Sequence, residues 1–333
     1  MDISDLIKKS RNAEPFIKKE LTCMLGFAPT SFEAYLIMAE ANRISREVSA
    51  GKAEVHAQFA MNLAPCGCNC RFCSFASVNG IFEKNSEITI TEAVQKALSF
   101  ETDDANAIFM MATANYSFDK FLEIAQEVRR VLNPDTIMIA NVGDQDPREA
   151  KKLKEAGFYG VYHALRLREG VDTGIAPEKR KKSIRNFQEV GLLVGTCVEP
   201  VGPDHTDEEL ADMILYTASI KPAYSGAARR IAIPGGVMEH AGMITELRMA
   251  QIVAVTRMAM PRSTKGNCTH EPCTIGALAG ANLFWAEAGA NPRDVKENTE
   301  EGRGGTVADC RKLFQETSWE TLKGPSVFYR SEI

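Results

Sequence analysis

The sequence predicts an α/β fold, a TIM-type (β/α)8 barrel with a helical extension at its N-terminus. Apolar runs typical of strands alternate with amphipathic helical stretches over most of the chain. Eight such strand–helix pairs occupy about 260 residues, the length that a closed barrel of this type needs. The alternative is a doubly wound open sheet. Its usual G-x-G-x-x-G motif is absent after the first predicted strand.

The eight predicted units follow one another from about residue 56 onward. In order, each strand and the helix after it are VHAQFAMNL with TEAVQKALSF, NAIFMMATA with FDKFLEIAQEVRRVL, TIMIANVG with PREAKKLKEAG, GVYHALRL with PEKRKKSIRNFQEVG, LLVGTCVEPVG with TDEELADMILYTA, ARRIAIPGG with TELRMAQIVAVTRMAM, RSTKGNCT with EPCTIGALAG, and NLFWAEAG with GTVADCRKLFQE. Gly157 and Gly191 each follow a charged helix and precede a strand, as glycine commonly does at a helix end.

The predicted domain organisation is simple. Residues 1–55 should form helical segments packed outside the barrel, and residues 56–333 should form the barrel with a C-terminal segment. We find no internal repeat and no low-complexity linker.

Composition excludes several classes of function. The chain has 333 residues, 44% of them hydrophobic, and a net charge of -5, so it can bury a large core. No apolar run approaches 18 residues, and MDISDLIKKSRNAEPF lacks the apolar centre of a signal peptide. No basic block stands out. We therefore expect a cytoplasmic enzyme that binds neither nucleic acid nor membranes.

Four of the nine cysteines lie in PCGCNCRFCS, residues 65–74. This stretch follows the first strand, so its thiols should lie at the carboxyl-end mouth where barrel enzymes build their sites. Without an export signal, the cysteines should be metal ligands or reduced thiols rather than disulfides. The alternative is a structural zinc or an inert thiol cluster, although zinc favours paired C-x2-C units with a second pair elsewhere.

One choice of spacing is C-x3-C-x2-C, formed by Cys66, Cys70 and Cys73, with Cys68 left over. Three thiolates on one short loop suit a cubane iron–sulfur cluster that keeps one iron free of protein ligands. With Phe72 just before the last cysteine, the loop resembles that of the radical S-adenosylmethionine (SAM) superfamily. The resemblance implies that these three cysteines hold a [4Fe–4S] cluster and that Cys68 points elsewhere as a non-ligand.

The same resemblance implies a chemistry. SAM would bind the open iron through its amino and carboxylate groups and receive an electron that comes from a flavodoxin or ferredoxin. Homolytic cleavage of its sulfonium bond would then yield a 5′-deoxyadenosyl radical that removes an unactivated hydrogen. The protein's contribution would be placement of the reactants and exclusion of water.

The later part of the chain resembles biotin synthase. The order RRIAIPGGVMEH, LRMAQIVAVTRMAMP and LAGANLFWAEAG is similar to that family's late strands and its biotin/thiamin-synthesis-associated C-terminal segment. VGTCVEPVG is similar to the fifth strand of biotin synthase, where a cysteine binds a second, sacrificial cluster. The resemblance therefore implies that Cys197 is an auxiliary-cluster ligand. An apolar strand cysteine is the alternative.

The sequence departs from biotin synthase at the other ligands of the second cluster, so it does not decide whether that cluster is present. The second and third strands, AIFMMATA and MIANVGD, lack the cysteines that biotin synthase has there, and its arginine ligand on the seventh strand has no clear counterpart. NCTHEPC offers Cys268 and Cys273 instead, which could converge with Cys197 or be coincidental thiols in a loop. His270 is a further candidate as a cluster or substrate ligand, or else a surface histidine.

Candidate SAM contacts follow the second and fourth strands. ATANY ends the second strand, where the superfamily usually has a Gly-Gly-Glu-like stretch, so Thr113 and Asn115 replace its carboxylate. In HALRLREG, strand alternation would put Arg166 and Arg168 on one face, with His163 and Glu169 on the other, unless the strand has already ended.

Arginine is the natural bidentate partner of a carboxylate, so one of these two arginines should hold that of SAM, with Glu169 near the ribose. A solvated charge cluster is the alternative. Asn141 and Glu199 follow the third and fifth strands and could meet ribose or substrate. Arg230, a charge predicted inside a buried strand, needs a partner and is a candidate for a carboxylate of substrate or SAM.

Three functions remain open from the sequence. The first is a radical SAM transferase that inserts sulfur into a cofactor precursor, as biotin and lipoyl synthases do. The second is a radical SAM enzyme of hydrogenase cofactor biosynthesis, of the iron-guanylylpyridinol or FeFe type. The third is a non-catalytic metal scaffold. The expected partners are SAM, a small or carrier-bound precursor, the electron donor, and either a second copy or a paired radical SAM protein.

Overall fold

The computed structural model describes residues 1–330 and forms a closed barrel of eight parallel strands. The strands are β1 (Lys52–Ala60), β2 (Ala107–Met111), β3 (Ile137–Asn141), β4 (Gly160–Tyr162), β5 (Leu193–Gly195, continued by Val198–Val201), β6 (Tyr224–Arg229), β7 (Gly266–Thr269) and β8 (Leu283–Ala288). Each strand pairs with the next, and β8 pairs with β1, which closes the ring. The predicted TIM-type barrel is confirmed.

Helices surround the barrel. They are α1 (Ile3–Arg11), α2 (Lys18–Gly26), α3 (Phe32–Val48), α4 (Ile90–Thr102), α5 (Phe118–Val131), α6 (Pro147–Glu155), α7 (Pro177–Glu189), α8 (Asp207–Ser219), α9 (Glu246–Ala259), α10 (Thr274–Leu278) and α11 (Val307–Glu316). Most begin at a Ser, Thr or Asp whose side chain accepts a hydrogen bond from the first turn, for example Thr89 and Thr206. These caps fix where each loop ends and so shape the mouth of the barrel.

The first three helices lie against one side of the barrel. Helix α3 packs on α9, and α2 packs on α8 and α9. Leu21, Met24 and Ile37 are fully buried and share one apolar core with Ile252 and Val253 of α9. Within residues 1–330, no helix is long and apolar enough to cross a membrane.

Strand β6 lies earlier in the chain than the predicted strand ARRIAIPGG. It consists of Tyr224–Arg229, and the residues after Arg230 form a loop. The reason is its content of small residues, since Ser225, Gly226 and Ala227 carry little of the usual strand signal. Small side chains are needed here because a Cβ at Gly226 would lie 2.1 Å from the Cys268 carbonyl oxygen of β7.

Aromatic side chains fill the interior of the barrel. His56 lies within 6.2 Å, centroid to centroid, of the rings of Phe109, Tyr224, Trp285 and Tyr329. Tyr329 enters from the C-terminal segment, which also places Glu320–Thr321 beside β1. The chain is therefore folded back into its own barrel.

Buried Glu54 of β1 anchors this returning segment. Its carboxylate accepts hydrogen bonds from the Ser326 hydroxyl and from the Val327 N–H, the latter at 2.7 Å. Because Glu54 lies near the start of β1, the segment blocks the amino ends of the strands. The opposite end of the barrel stays open.

We expect Gly160→Ala to lower the free energy of unfolding by about 3 kcal/mol, because the added methyl group cannot be accommodated without moving backbone. A Cβ at Gly160 would lie 2.2 Å from the Leu193 carbonyl oxygen and 2.6 Å from the Tyr329 ring. Gly305→Ala is the matched control, since no neighbouring atom lies within 4 Å of its added Cβ. Urea denaturation measures both, and equal midpoints for the two variants would contradict this account of the interior.

Candidate functional site

A cavity opens at the carboxyl ends of the strands. It has a volume of about 180 Å³ and is lined by side chains from the cysteine loop and from several barrel strands. Met111 and Asn141 end β2 and β3, and Tyr162 ends β4, so the strands point directly into it. This is the end at which barrel enzymes place their sites.

Backbone hydrogen bonds hold the cysteine loop in a fixed shape. The Cys66 N–H donates to the Phe75 carbonyl at 2.7 Å, and the Cys73 N–H donates to the Cys70 carbonyl at 2.8 Å. The side chain of Asn79 donates to the carbonyls of Arg71 and Cys73. The loop thus keeps its thiols on the cavity wall without help from a disulfide.

All four thiols of the loop line the cavity, including that of Cys68. The expectation that Cys68 points elsewhere is wrong, because its thiol donates a hydrogen bond to the Cys66 sulfur. This hydrogen bond lowers the pKa of Cys66 to about 6. Burial instead raises the pKa of Cys70 and raises that of Cys73 to about 12.

The loop's residues fit an iron–sulfur cluster. Cys66, Cys70 and Cys73 are soft thiol ligands on one short loop, and their sulfurs are not all within 4.8 Å of one another, unlike the donors of a single-ion site. Positive charge lies nearby, since the guanidinium groups of Arg166 and Arg180 both favour the thiolate form of Cys70. Cationic neighbours suit thiolate ligands, which must be deprotonated to bind metal.

Arg166 lies on the cavity wall and Arg168 does not. Arg166 is 21% exposed and faces Glu199 across 3.4 Å. Burial disfavours its charge, but Glu199 outweighs burial and the pKa of Arg166 is raised. Arg168 instead points outward to Asp204 and Glu209.

The strand alternation that would put Arg166 and Arg168 on one face does not apply, because the strand has already ended. Strand β4 ends at Tyr162, before either arginine, and Arg168 has a left-handed φ of 53°. Such a turn sends the two side chains in different directions.

A buried ionic network supports the wall behind Arg166. The carboxylate of Asp144 lies 2.9 Å from His163 Nε2 and 3.2 Å from Arg180 Nη1. Glu169 accepts hydrogen bonds from the Arg166 N–H at 2.9 Å and the Thr173 hydroxyl at 2.6 Å. Burial lowers the pKa of His163 to about 4, so its imidazole is neutral at neutral pH. Glu169 does not line the cavity but braces the backbone of Arg166.

The remaining predicted SAM contacts differ in position. Phe72, Thr113, Asn141 and Glu199 line the cavity. The Thr113 hydroxyl accepts a hydrogen bond from Asn62 at 2.8 Å, and Asn141 donates to Gln58 at 2.8 Å. Asn115 is exposed, lies outside the cavity lining and donates to the Pro65 carbonyl at 3.1 Å.

Arg230 is 1% exposed and borders the same cavity. Its Nη2 contacts the Asp204 carboxylate and the Ala241 carbonyl. Its Nε and Nη1 have no hydrogen-bond partner among the described residues. A buried guanidinium with unpaired donors is unusual, because each unpaired donor costs free energy.

The predicted auxiliary ligands separate into two places. Cys197 and Cys268 are fully buried, with their sulfurs 2.9 Å apart, and His270 Nε2 lies 3.4 Å from the Cys197 sulfur. Burial raises the pKa of Cys197 well above its ordinary value, and burial lowers that of His270 well below. Cys273 lies apart, at the start of α10 beside Arg229 and Glu271.

Sequence reasoning missed several residues of the cavity. Arg180 comes from α7, where a lysine- and arginine-rich stretch looked like an ordinary solvated helix. Arg229 and Arg293 also line the cavity, in ion pairs with Glu271 and Glu287. Arg293 lies in the loop after β8, five residues beyond Ala288, a region where a barrel carries site residues, so the strand count could have revealed it.

Comparison with known proteins identifies a family for part of the chain. Residues 65–216 match the family model described as the radical SAM superfamily. Biotin synthase from Flavobacterium johnsoniae is 24% identical over 238 residues, which are 66% of this chain and 65% of that protein. The chain thus spans slightly less than two thirds of that relative's length.

Solved structures show the same fold at low identity. The FeFe-hydrogenase maturase HydG from Carboxydothermus hydrogenoformans has a TM-score of 0.80 and 16% identity, covering 98% of this chain and 80% of that one. Methylornithine synthase (PylB) has a TM-score of 0.79 and 14% identity, covering 97% and 98%. Residues 65–216 of this chain therefore match a radical SAM domain, and the chain is similar to biotin synthases at low identity.

Proposed function

We propose that this chain is a radical SAM enzyme that removes a hydrogen atom from a small anionic cofactor precursor bound in the cavity. One observation carries the proposal: the C-x3-C-x2-C thiols, the half-buried Arg166 and the buried Arg230 line the same cavity. The superfamily implies a [4Fe–4S] cluster and SAM. A non-catalytic scaffold would need neither the cavity nor its arginines.

Cys66, Cys70 and Cys73 would hold the cluster, because they have the C-x3-C-x2-C spacing of the superfamily. When bound, the cluster supplies the electron that cleaves SAM and starts hydrogen abstraction. The chain's own part is positional. The loop's backbone hydrogen bonds keep the three thiols on the wall, and the aromatic-filled interior closes the cavity from below.

Arg166 is the residue we assign to the carboxylate of SAM. It borders the cavity, and its ion pair with Glu199 at 3.4 Å is long enough to leave donors for a second carboxylate. Glu169, which also pairs with Arg180, accepts a hydrogen bond from the Arg166 N–H and so fixes the backbone from which this side chain starts. Phe72, Thr113 and Asn141 are placed to meet the rest of SAM.

Arg230 supports an anionic precursor. Its unpaired Nε and Nη1 donors are buried, and an anion entering the cavity would satisfy them. Arg229 and Arg293 add positive charge to the same wall. A carboxylate or phosphate group on the precursor is the chemistry that this wall would recognise. The proposed electron donor is a flavodoxin or ferredoxin.

The proposed enzyme could catalyse either of two specific reactions. Sulfur insertion of the biotin or lipoyl synthase type is supported by the sequence likeness to biotin synthase, and it needs a second cluster. Hydrogenase cofactor assembly without sulfur insertion does not need a second cluster as a source of sulfur. We favour the second reaction, because Cys273 lies apart from Cys197 and Cys268, and because these two thiols are buried behind the cavity wall rather than on it.

Replacing Cys70 with Ala should abolish SAM cleavage, whereas Cys68→Ala should retain most of it. Cys70 is an assigned ligand, while Cys68 contributes a hydrogen bond to the Cys66 sulfur. The measurement is 5′-deoxyadenosine formation by anaerobically reconstituted protein with a chemical reductant. Equal loss from the two substitutions would contradict the ligand assignment.

Arg166→Ala should weaken SAM binding about 10- to 100-fold, the usual range for a charged hydrogen-bonding partner. Arg168→Ala is the matched control and should change binding less than about twofold, because its side chain points away from the cavity. Equilibrium dialysis with reconstituted protein measures both dissociation constants. A similar loss of SAM affinity in the two variants would show that Arg166 does not bind SAM directly.

A variant with Cys66, Cys70 and Cys73 all replaced by Ala separates the two reactions. If sulfur is not inserted, the reconstituted variant should contain almost no acid-labile sulfide. Sulfur insertion predicts that a second cluster survives, with about two to four irons per chain and matching sulfide. Iron and sulfide analysis after desalting, beside the unsubstituted chain, decides between them.

A further inference from the structure

Three metal-binding side chains meet inside the barrel, away from the cysteine loop. The donor atoms of Cys197, Cys268 and His270 all lie within 4.8 Å of one another. Within residues 1–330, no other group of three or more His, Cys, Asp or Glu side chains meets that criterion. The sulfurs of the loop cysteines, which the sequence pattern indicated first, do not all lie within this distance of one another.

The barrel itself brings these residues together. Cys197 lies between the two parts of β5, and Cys268 lies in β7, so the two flank β6. At this level β6 contributes Gly226, which pairs with Cys268 and has no side chain to separate the thiols. Alternate strands of a barrel fill the same interior layer, which explains the contact.

The separations suit one ion. Zinc–sulfur bonds of about 2.3 Å and zinc–nitrogen bonds of about 2.0 Å place tetrahedral donors about 3.5 to 3.8 Å apart. The 3.4 Å between Cys197 and His270 is already close to this, and the sulfurs would need to open from 2.9 Å. A disulfide would need them to close to about 2.05 Å. A cluster would need the donors spread around several irons.

Charge also favours a single divalent ion. Cys197 and Cys268 are 0% exposed, and a bare thiolate there would be a costly buried charge. Two thiolates, a neutral imidazole and a divalent cation sum to zero net charge. The site would therefore bury no uncompensated charge when loaded.

Neighbouring groups are arranged as an outer ring around these ligands. The hydroxyls of Tyr162, Tyr224 and Tyr329 are buried and have no hydrogen-bond partner among the described residues. All three share one buried cluster with Cys197 and Cys268. Metal-bound thiolates would give these hydroxyls acceptors, as outer partners of metal sites commonly do. Trp285 stacks on His270 with ring centroids 4.7 Å apart and holds the imidazole in place.

We propose that Cys197, Cys268 and His270 bind a single divalent transition-metal ion of the zinc or ferrous class. Three protein ligands leave a fourth position for water or a substrate group, as in catalytic zinc sites. His270 lines the cavity, so the ion would lie just behind its wall. This site is independent of the proposed function, because it uses none of the cluster cysteines.

The test uses the full chain with Cys66, Cys70 and Cys73 replaced by Ala, which removes the competing thiols and any SAM chemistry. The reduced, chelator-treated protein is titrated anaerobically with Co²⁺ and desalted. We expect about one cobalt per chain with the thiolate-to-cobalt absorption of a tetrahedral site, displaced by Zn²⁺. In the same background, Cys268→Ser and His270→Gln should each weaken binding at least tenfold, whereas Cys273→Ala should leave it unchanged.

Several results would overturn the proposal. Cobalt binding that survives both Cys268→Ser and His270→Gln, or that Cys273→Ala weakens equally, would place the ion elsewhere. Two or more irons with acid-labile sulfide after iron and sulfide reconstitution would mean a cluster. If Cys268→Ser fails to fold by circular dichroism, His270→Gln alone decides, since His270 is only partly buried.

Discussion

Filling the barrel interior is the constraint on which the other features depend. Eight parallel strands can close only if their inward side chains pack without voids, and here the packing is aromatic around His56. Glycines at the level of Tyr329 allow its ring to enter, and Glu54 holds the returning segment by hydrogen bonds. One end of the ring is thus sealed. Ligands can enter only at the carboxyl ends of the strands.

The open end of the barrel carries several arginines, which differ in whether a carboxylate pairs with them. The cysteine loop lies beside two guanidinium groups, and the opposite wall carries Arg229, Arg230 and Arg293. Most of these cations have a carboxylate partner from a neighbouring loop, for example Glu199 or Glu271. Paired charges can be buried at tolerable cost, whereas the Nε and Nη1 donors of Arg230 lack a partner among residues 1–330. This difference is why our proposal assigns the anionic group of the precursor to Arg230.

The sequence predicted the barrel well because strand and helix periodicity is local information. The eight units, the position of the cysteine loop and the family all follow from short patterns. The sequence placed strand β6 too late in the chain. Its small residues have weak strand propensity, and they form a strand because the neighbouring strands leave room for no larger side chain. Side-chain direction was the weakest part. Arg168 turns outward through a left-handed residue, and Cys68 turns inward, and neither follows from spacing alone.

The contact between Cys197, Cys268 and His270 was also beyond the sequence, since 71 residues separate the two cysteines. Only the pairing of β5, β6 and β7 places them in one layer, and His270 rather than Cys273 completes the group. Local patterns favoured Cys273 because it lies in the same short stretch as Cys268. The fold decides otherwise, since Cys273 already begins a helix.

The returning C-terminal segment has a consequence for biosynthesis. Tyr329 packs against glycines of β4 and β5, and Ser326 and Val327 bond to β1, so residues made long after residue 52 help to fill the barrel that it begins. During translation the strands can assemble only around an incompletely filled centre until this segment has left the ribosome. The filled barrel therefore closes only after all eight strands have been made.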